Sequence, residues 1–393
     1  MLNILIIASS ALVALLLAWP RLANAPQWKA TITPLASIIG SGFLVLGPIL
    51  VLSYGRYAPL VMLGLCVVAY LFGASIRHNI AHIASGTQRT RFAERLEKLA
   101  SVVLAFAYVI SVAYYLNLFG AFGVSLTPFD DSLHARLLTT AIFFVILIVG
   151  WSKGFSALER LEQFSVGLKL AIIAGLLVGL GVYFWQTPRD AIPAVPVPTI
   201  GGRSAIALAA GLIVTVQGFE TTRYLGATYN ATTRILAMRL SQWLSTVIYL
   251  IYIGLLTYAF DPNSMTMSET AIIELMSLVA PVLPALLVAA ALSAQFSAAV
   301  ADTTGSGGLI DEITRGLVPP RLAYALIVTS GLALTWSANV FEIISFASRG
   351  FALYYAIQAA IAAITAQSPW RSLLYSAVAL VAIFAASFGQ AIE

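Results

Sequence analysis

The chain has 393 residues, 60% of them hydrophobic and 9% charged, with a formal net charge of +5 and a mean hydropathy of +0.93. A soluble globule of this length cannot hide so much apolar surface, so the composition excludes one and points to a polytopic α-helical membrane protein. The positive balance belongs to loops at a membrane surface rather than to a nucleic-acid partner, and a single cysteine, Cys66, excludes a disulfide framework or a cysteine-based metal site.

Twelve apolar segments follow one another, near 2–19, 31–53, 58–76, 97–123, 135–151, 158–185, 204–226, 238–260, 282–308, 321–337, 340–365 and 370–390. They are long and continuous, unlike the short alternating strands of a β-barrel, so each predicts a transmembrane helix. The first could be mistaken for a signal peptide, because Ala23-Asn24-Ala25 looks like a cleavage site. No basic residue precedes it, however, Arg21 intrudes and Pro26 would follow the cut, so a retained helix is expected.

The second segment carries Ser37-Ile38-Ile39-Gly40-Ser41-Gly42-Phe43. Glycine costs about 1 kcal/mol in a helix interior, and a broken helix frees backbone groups that hydrocarbon cannot satisfy. Such a break survives at membrane depth only where it lines a cavity or is buried in protein. A second interruption, Val216-Gln217-Gly218-Phe219-Glu220, lies in the seventh segment. With the first helix set aside, 31–185 and 204–366 each hold five segments, and each set opens on an interrupted one. An odd number of crossings inverts the second set relative to the first, which is the plan of many secondary transporters. The expected organisation is an extra N-terminal helix and linker (1–30), a first repeat (31–185), an external loop (186–203), an inverted second repeat (204–366) and an extra C-terminal helix (367–393). Small residues in membrane helices also permit close packing, and the pairing of the two breaks favours a binding site over that alternative.

Lys and Arg set the orientation. With the N-terminus outside, fifteen of the 21 basic residues fall on the cytoplasmic side, among them Arg77, Arg89, Arg91, Arg95, Lys98 and Arg239, and four fall outside, Arg56, Arg136, Arg189 and Arg203. Both termini are therefore expected to be external.

The two interruptions supply the candidate binding residues. Backbone N–H groups at Gly40, Ser41 and Gly42, beside Ser37, suit an anion such as a carboxylate. Carbonyls at Val216, Gln217 and Gly218 suit an ammonium group, with Phe219 as a gate. Glu220 either assists coupling or pairs with Arg223. Tyr108, Ser111 and Tyr115 fall at i, i+3 and i+7 on one face, where a hydroxyl meets substrate or the rings simply pack. Ser293, Ser297, Ala301, Thr304, Gly305 and Gly308 make a small-residue face suited to tight packing or to part of an ion site. Asp302 is expected as a vestibule charge, and Arg349 as a deeper cation partnered by Glu220 or Asp302. Lys169 lies well inside an apolar segment, where it is either buried or snorkels to the interface. No His set has metal-ligand spacing, nothing matches Gly-x4-Gly-Lys-Ser/Thr, and no residue set suggests hydrolysis, so no metal, cofactor or enzyme activity is expected.

Residues 37–43 followed by Gly47-Pro48 resemble the first core helix of the amino acid–polyamine–organocation (APC) superfamily. Gln217-Gly218-Phe219-Glu220 with the basic loop after it resembles that superfamily's sixth helix, Leu161–Leu170 its fifth, and Asp311–Pro319 the loop after its eighth. The extra leading helix and Ala290–Ser297 are more like sodium/solute symporters. The resemblance covers about 31–366 and implies a LeuT-type five-plus-five fold with alternating access. It implies a carboxylate at the Gly-Ser-Gly motif, and a coupling site between the fifth and eighth core helices at Ser293, Ser297 and Lys169. Sodium-coupled relatives hold the ion there with oxygens, whereas here Phe296 supplies none. In some sodium-independent members a lysine takes the ion's place, which implies that Lys169 meets carbonyls near Ser37–Gly40 and the Ser297 hydroxyl. The expected function is secondary transport of amino acids or related small amines across the bacterial inner membrane, proton-coupled or by exchange. A sodium-coupled symporter of another solute, or a non-transporting sensor on the same fold, are the alternatives.

Overall fold

The computed structural model describes residues 1–40, 42–86, 90–152, 159–187, 197–261, 265 and 267–391. The side chains of 159–163 and 227 lie outside that description. So do Ser41 of the first motif, loop residues 188–196, and the basic residues Arg89, Lys153 and Arg189. The chain is an all-α polytopic membrane protein, and no strand occurs among the described residues.

In chain order the helices are α1 (Leu2–Ala18), α2 (Pro20–Ala23), α3 (Pro26–Ile38), α4 (Gly42–Tyr54), α5 (Ala58–Ala84), α6 (Arg91–Val124), α7 (Ser132–Ser152), α8 (Glu159–Gln186) and α9 (Gly202–Gly211). Two 3-10 stretches follow, Ile213–Val216 and Phe219–Ala227. Then come α10 (Ala231–Ala259), α11 (Ala271–Val279), α12 (Leu283–Ile313), α13 (Pro320–Ser337), α14 (Val340–Thr365) and α15 (Pro369–Phe388). Proline opens α2, α3, α13 and α15, where its missing N–H costs nothing. Thr90, Asn230 and Asn339 cap α6, α10 and α14 by accepting a backbone N–H three residues on.

Eight stretches among the described residues are long and apolar enough to cross a membrane. The two interrupted spans are α3–α4 and α9 with its 3-10 continuation. Setting α1 aside, α3–α4, α5, α6, α7 and α8 form one set of five spans. The interrupted α9 span, α10, α12, α13 and α14 form the other.

The packing repeats between the sets. The second spans pair with each other (α5 on α10), as do the third (α6 on α12) and the fourth (α7 on α13). Crossed pairs come in twos: α6 on α14 is matched by α12 on α8, and α6 on α7 by α12 on α13. The two additional helices obey the same rule, α1 lying on α8 and α15 on α14, the fifth span of each set. Ile6 of α1 is fully buried, and a methyl group added at Gly175 or Gly179 of α8 would meet it at 2.9 to 3.0 Å.

The acidic loop with Asp261, Glu269 and Glu274 leads into an element not expected from the sequence. Residues 271–279 form α11, whose Ile272, Ile273, Leu275 and Met276 are buried against α4, α8 and α12. Nine residues are too short to span a membrane but long enough to bury one apolar face.

Candidate functional site

The interrupted helices cross at their breaks. Gly218 has φ +119, a left-handed value that glycine adopts without strain. A Cβ there would lie 2.7 Å from the carbonyl carbon of Ser37 and 2.8 Å from the Ile38 nitrogen. At Gly42 a Cβ would lie 2.8 Å from the Tyr114 hydroxyl and 3.1 Å from Thr215. The glycines therefore let two backbones touch, Gly218 on Ser37 and Gly42 on Thr215.

Side chains from intact helices satisfy the freed backbone groups, as hydrocarbon burial demands. The Tyr249 hydroxyl of α10 lies 2.9 Å from the Ile38 carbonyl and 2.5 Å from the Thr215 carbonyl, bridging the two broken spans. Ser348 of α14 donates to the Gly211 carbonyl at 2.6 Å and accepts the Val214 N–H at 3.0 Å. Glu220 folds back, its Oε2 accepting the Gly218 N–H at 2.9 Å and the Tyr355 hydroxyl at 2.8 Å. Its other oxygen, and Oε1 of Gln217, have no hydrogen-bond partner among the described residues. Gln217 donates through Nε2 to the Tyr115 hydroxyl at 3.1 Å.

On the side of the breaks where α3 begins, a cavity of about 380 Å³ opens between α3, α6, α12 and the second 3-10 stretch. Ser37, Tyr108, Thr221, Tyr224, Asp302 and Glu312 are among its polar lining, and no Lys or Arg lines it among the described residues. Asp302 is 5% exposed and accepts a hydrogen bond from the Ser111 hydroxyl. On the opposite side α11 lies across α4, α8 and α12.

Lys169 is 4% exposed, and its Nζ donates to the Ala36 carbonyl at 2.7 Å. It stands between two voids of about 10 Å³, each roughly the room of one water. One is lined by Ser37, Ser165, Ser297 and Ala301, the other by Gly40, Phe43 and Ala291. The ammonium is thus buried against the first broken span and does not reach for an interface.

The structure brings Ser37, Gly40, Tyr108, Ser111, Gln217, Gly218, Glu220, Lys169 and Ser297 to this crossing or its vestibule. Others sit differently. Phe219 is fully buried and stacks on Tyr355 at 5.2 Å, without lining the vestibule. Val216 is buried beside Ile38 and Tyr249, around a separate small void. The Gly218 carbonyl accepts the Thr221 hydroxyl at 2.7 Å. Ser293 is half-buried and lines neither void beside Lys169.

Two pairings differ from those the sequence suggested. Arg223 turns away from Glu220 and forms an ion pair with Glu97 of α6, with a further bond to Gln358 Oε1 at 2.7 Å. The Glu220 carboxylate is already held by the Gly218 N–H. Arg349 meets neither Glu220 nor Asp302; its Nε donates to the Gly389 carbonyl at 2.9 Å, just past the end of α15. Tyr249, Ser348, Tyr355 and Gln358 were missed. The available signal was polar groups at helical spacing within apolar spans, as in 348, 355 and 358 of α14.

Compared with known proteins, residues 20–389 match the profile of a family described as an APC superfamily transporter. The chain is also similar to a protein of Aquifex aeolicus (strain VF5) described as uncharacterized, 40% identical over 384 residues, which are 95% of this chain and 93% of that one.

Proposed function

The chain belongs to the APC superfamily of transporters, and on that premise we propose that it carries amino acids or related small amines across the bacterial inner membrane by alternating access, without sodium and with proton coupling or exchange. The observation that carries the sodium-independent reading is the buried Lys169 ammonium, donating to the Ala36 carbonyl where the first broken span meets α8. A fixed positive charge there supplies the attraction to backbone oxygens that a bound cation otherwise would.

The substrate lies at the crossing and reaches it through the cavity beneath. A carboxylate is served by the backbone at Gly40–Gly42. An ammonium group is served by Asp302, by the tyrosine rings of Tyr108 and Tyr224, and by the unpartnered oxygens of Gln217 and Glu220. The acidic wall, without basic residues among those described, supports the amine end of this range. With the basic loops cytoplasmic and both termini outside, the cavity faces inward and α11 closes the outer side.

Uptake into proteoliposomes tests the reading. Labelled amino acids and amines are supplied with a proton gradient, a sodium gradient or internal substrate. Accumulation driven by the proton gradient or by internal substrate, and indifferent to sodium, is the expected result. Accumulation that requires sodium overturns it.

A further inference from the structure

A second cavity, of about 410 Å³, is distant in character from the vestibule. It lies between α5, α9 and α15 and is walled by apolar side chains, among them Leu65, Ile206, Ile213, Val381 and Phe384, with the Tyr54 ring at its end. Ile206, Val381 and Phe384 are also exposed on the outside of the bundle, so the cavity opens sideways. In a membrane-spanning chain that direction is lipid, and the volume is in the range of a ligand pocket.

Two arginines lie close in the chain to the end of this cavity. The Tyr54 hydroxyl donates to the Ala205 carbonyl at 2.6 Å, tying the end of α4 to the start of α9. Arg56 follows Tyr54 by two residues and Arg203 precedes Ala205 by two, so each Cα is within about 7 Å of a residue of the rim. Both arginines are exposed, and neither is in an ion pair among the described residues. This side of the protein is poor in basic residues, with four in all, yet two of them, Arg56 and Arg203, fall within two residues of the rim of an apolar cavity. Bulk orientation rules give no reason for that.

We infer that this cavity is a phospholipid site: one acyl chain fills the space between α5, α9 and α15, and an anionic headgroup phosphate is held by Arg56 and Arg203. The match is of two chemistries to one molecule, apolar within the bilayer and cationic at its surface. The chain lies against Ala209, Ala210 and Ile213, so the lipid braces the interrupted span just before its break.

The test measures binding and needs no transport, so its failure leaves the transport proposal standing. Delipidated protein is titrated with phosphatidylglycerol or phosphatidylcholine of identical acyl chains, and read by native mass spectrometry and thermal unfolding. Phosphatidylglycerol is expected to bind about 25-fold more tightly, two basic side chains at roughly fivefold each, and to raise the apparent melting temperature. Arg56→Gln/Arg203→Gln should bring it down to the level of phosphatidylcholine. Gly64→Leu should weaken both lipids, because Gly64 lines the cavity and a side chain there meets open space, leaving the fold intact. Equal binding of the two lipids by the wild type, no binding of either, or full phosphatidylglycerol binding in either variant each overturns the inference.

Discussion

Tyr249 has one hydroxyl proton and two carbonyls within reach, Ile38 at 2.9 Å and Thr215 at 2.5 Å. It can serve both only while the broken spans stay crossed. Tyr249→Phe should cost about 1 kcal/mol of stability in this conformation, within the range for hydrogen bonds in membrane proteins, and thermal unfolding in detergent measures it. A larger cost attaches to Glu97→Gln, which leaves the Arg223 guanidinium buried without its counter-charge. The loss should be about 3–5 kcal/mol, and Arg223→Gln in the same chain should recover much of it. For Lys169, Lys169→Ala removes the ammonium from Ala36 and should abolish the proton-driven rise of uptake at acid external pH while substrate binding persists. An unchanged pH profile in that variant would return the coupling role to a bound cation.

At the scale of elements, the two breaks are one device. Gly42 and Gly218 were legible as helix interruptions because glycine is costly in a helix and each lies with polar neighbours inside a long apolar segment. The sequence offered the Gly42 backbone to a substrate anion. A Cβ added there would meet Thr215 and Tyr114, so Gly42→Leu should separate the two broken spans as well as abolish binding. Gly218→Ala should destabilise by about 1–3 kcal/mol through its positive φ, with the contact on Ser37 added to that. Gly64→Ala, inside α5 and facing open space, is the matched control and should be neutral or stabilising. Denaturation of both variants side by side separates backbone conformation from the mere loss of a glycine.

The molecule as a whole pairs the first four spans of one set with their counterparts in the other, while the fifth spans, α8 and α14, pack on α12 and α6 and carry α1 and α15 on the periphery. The same arrangement makes a topology prediction. In a Cys66→Ala background, Ser85→Cys at the end of α5 should label only from the cytoplasmic side, and Ser132→Cys at the start of α7 only from outside. Labelling of Ser85→Cys in intact cells would reverse the assignment, and with it the direction in which the vestibule faces.

Composition and the lengths of the apolar runs were enough to determine a membrane protein, most of its helices though not α11, and the places of both breaks. Those properties depend on neighbours within a few turns of chain, and hydrocarbon penalises every deviation from a closed helix. The sequence also marked Lys169 as out of place, because an ammonium in an apolar segment is costly wherever it points. Its direction was another matter. Ala36 is 133 residues away in the chain, and only packing of α8 against α3 turned burial into a hydrogen bond rather than a reach for the interface. The same holds for Glu220, whose nearness to Arg223 suggested a pair. The carboxylate turned back to cap Gly218, and Arg223 found Glu97 on α6. Local spacing lists the partners a side chain could have. The choice among them follows from which helices meet, because a buried polar group takes whatever partner the packed neighbours bring within reach.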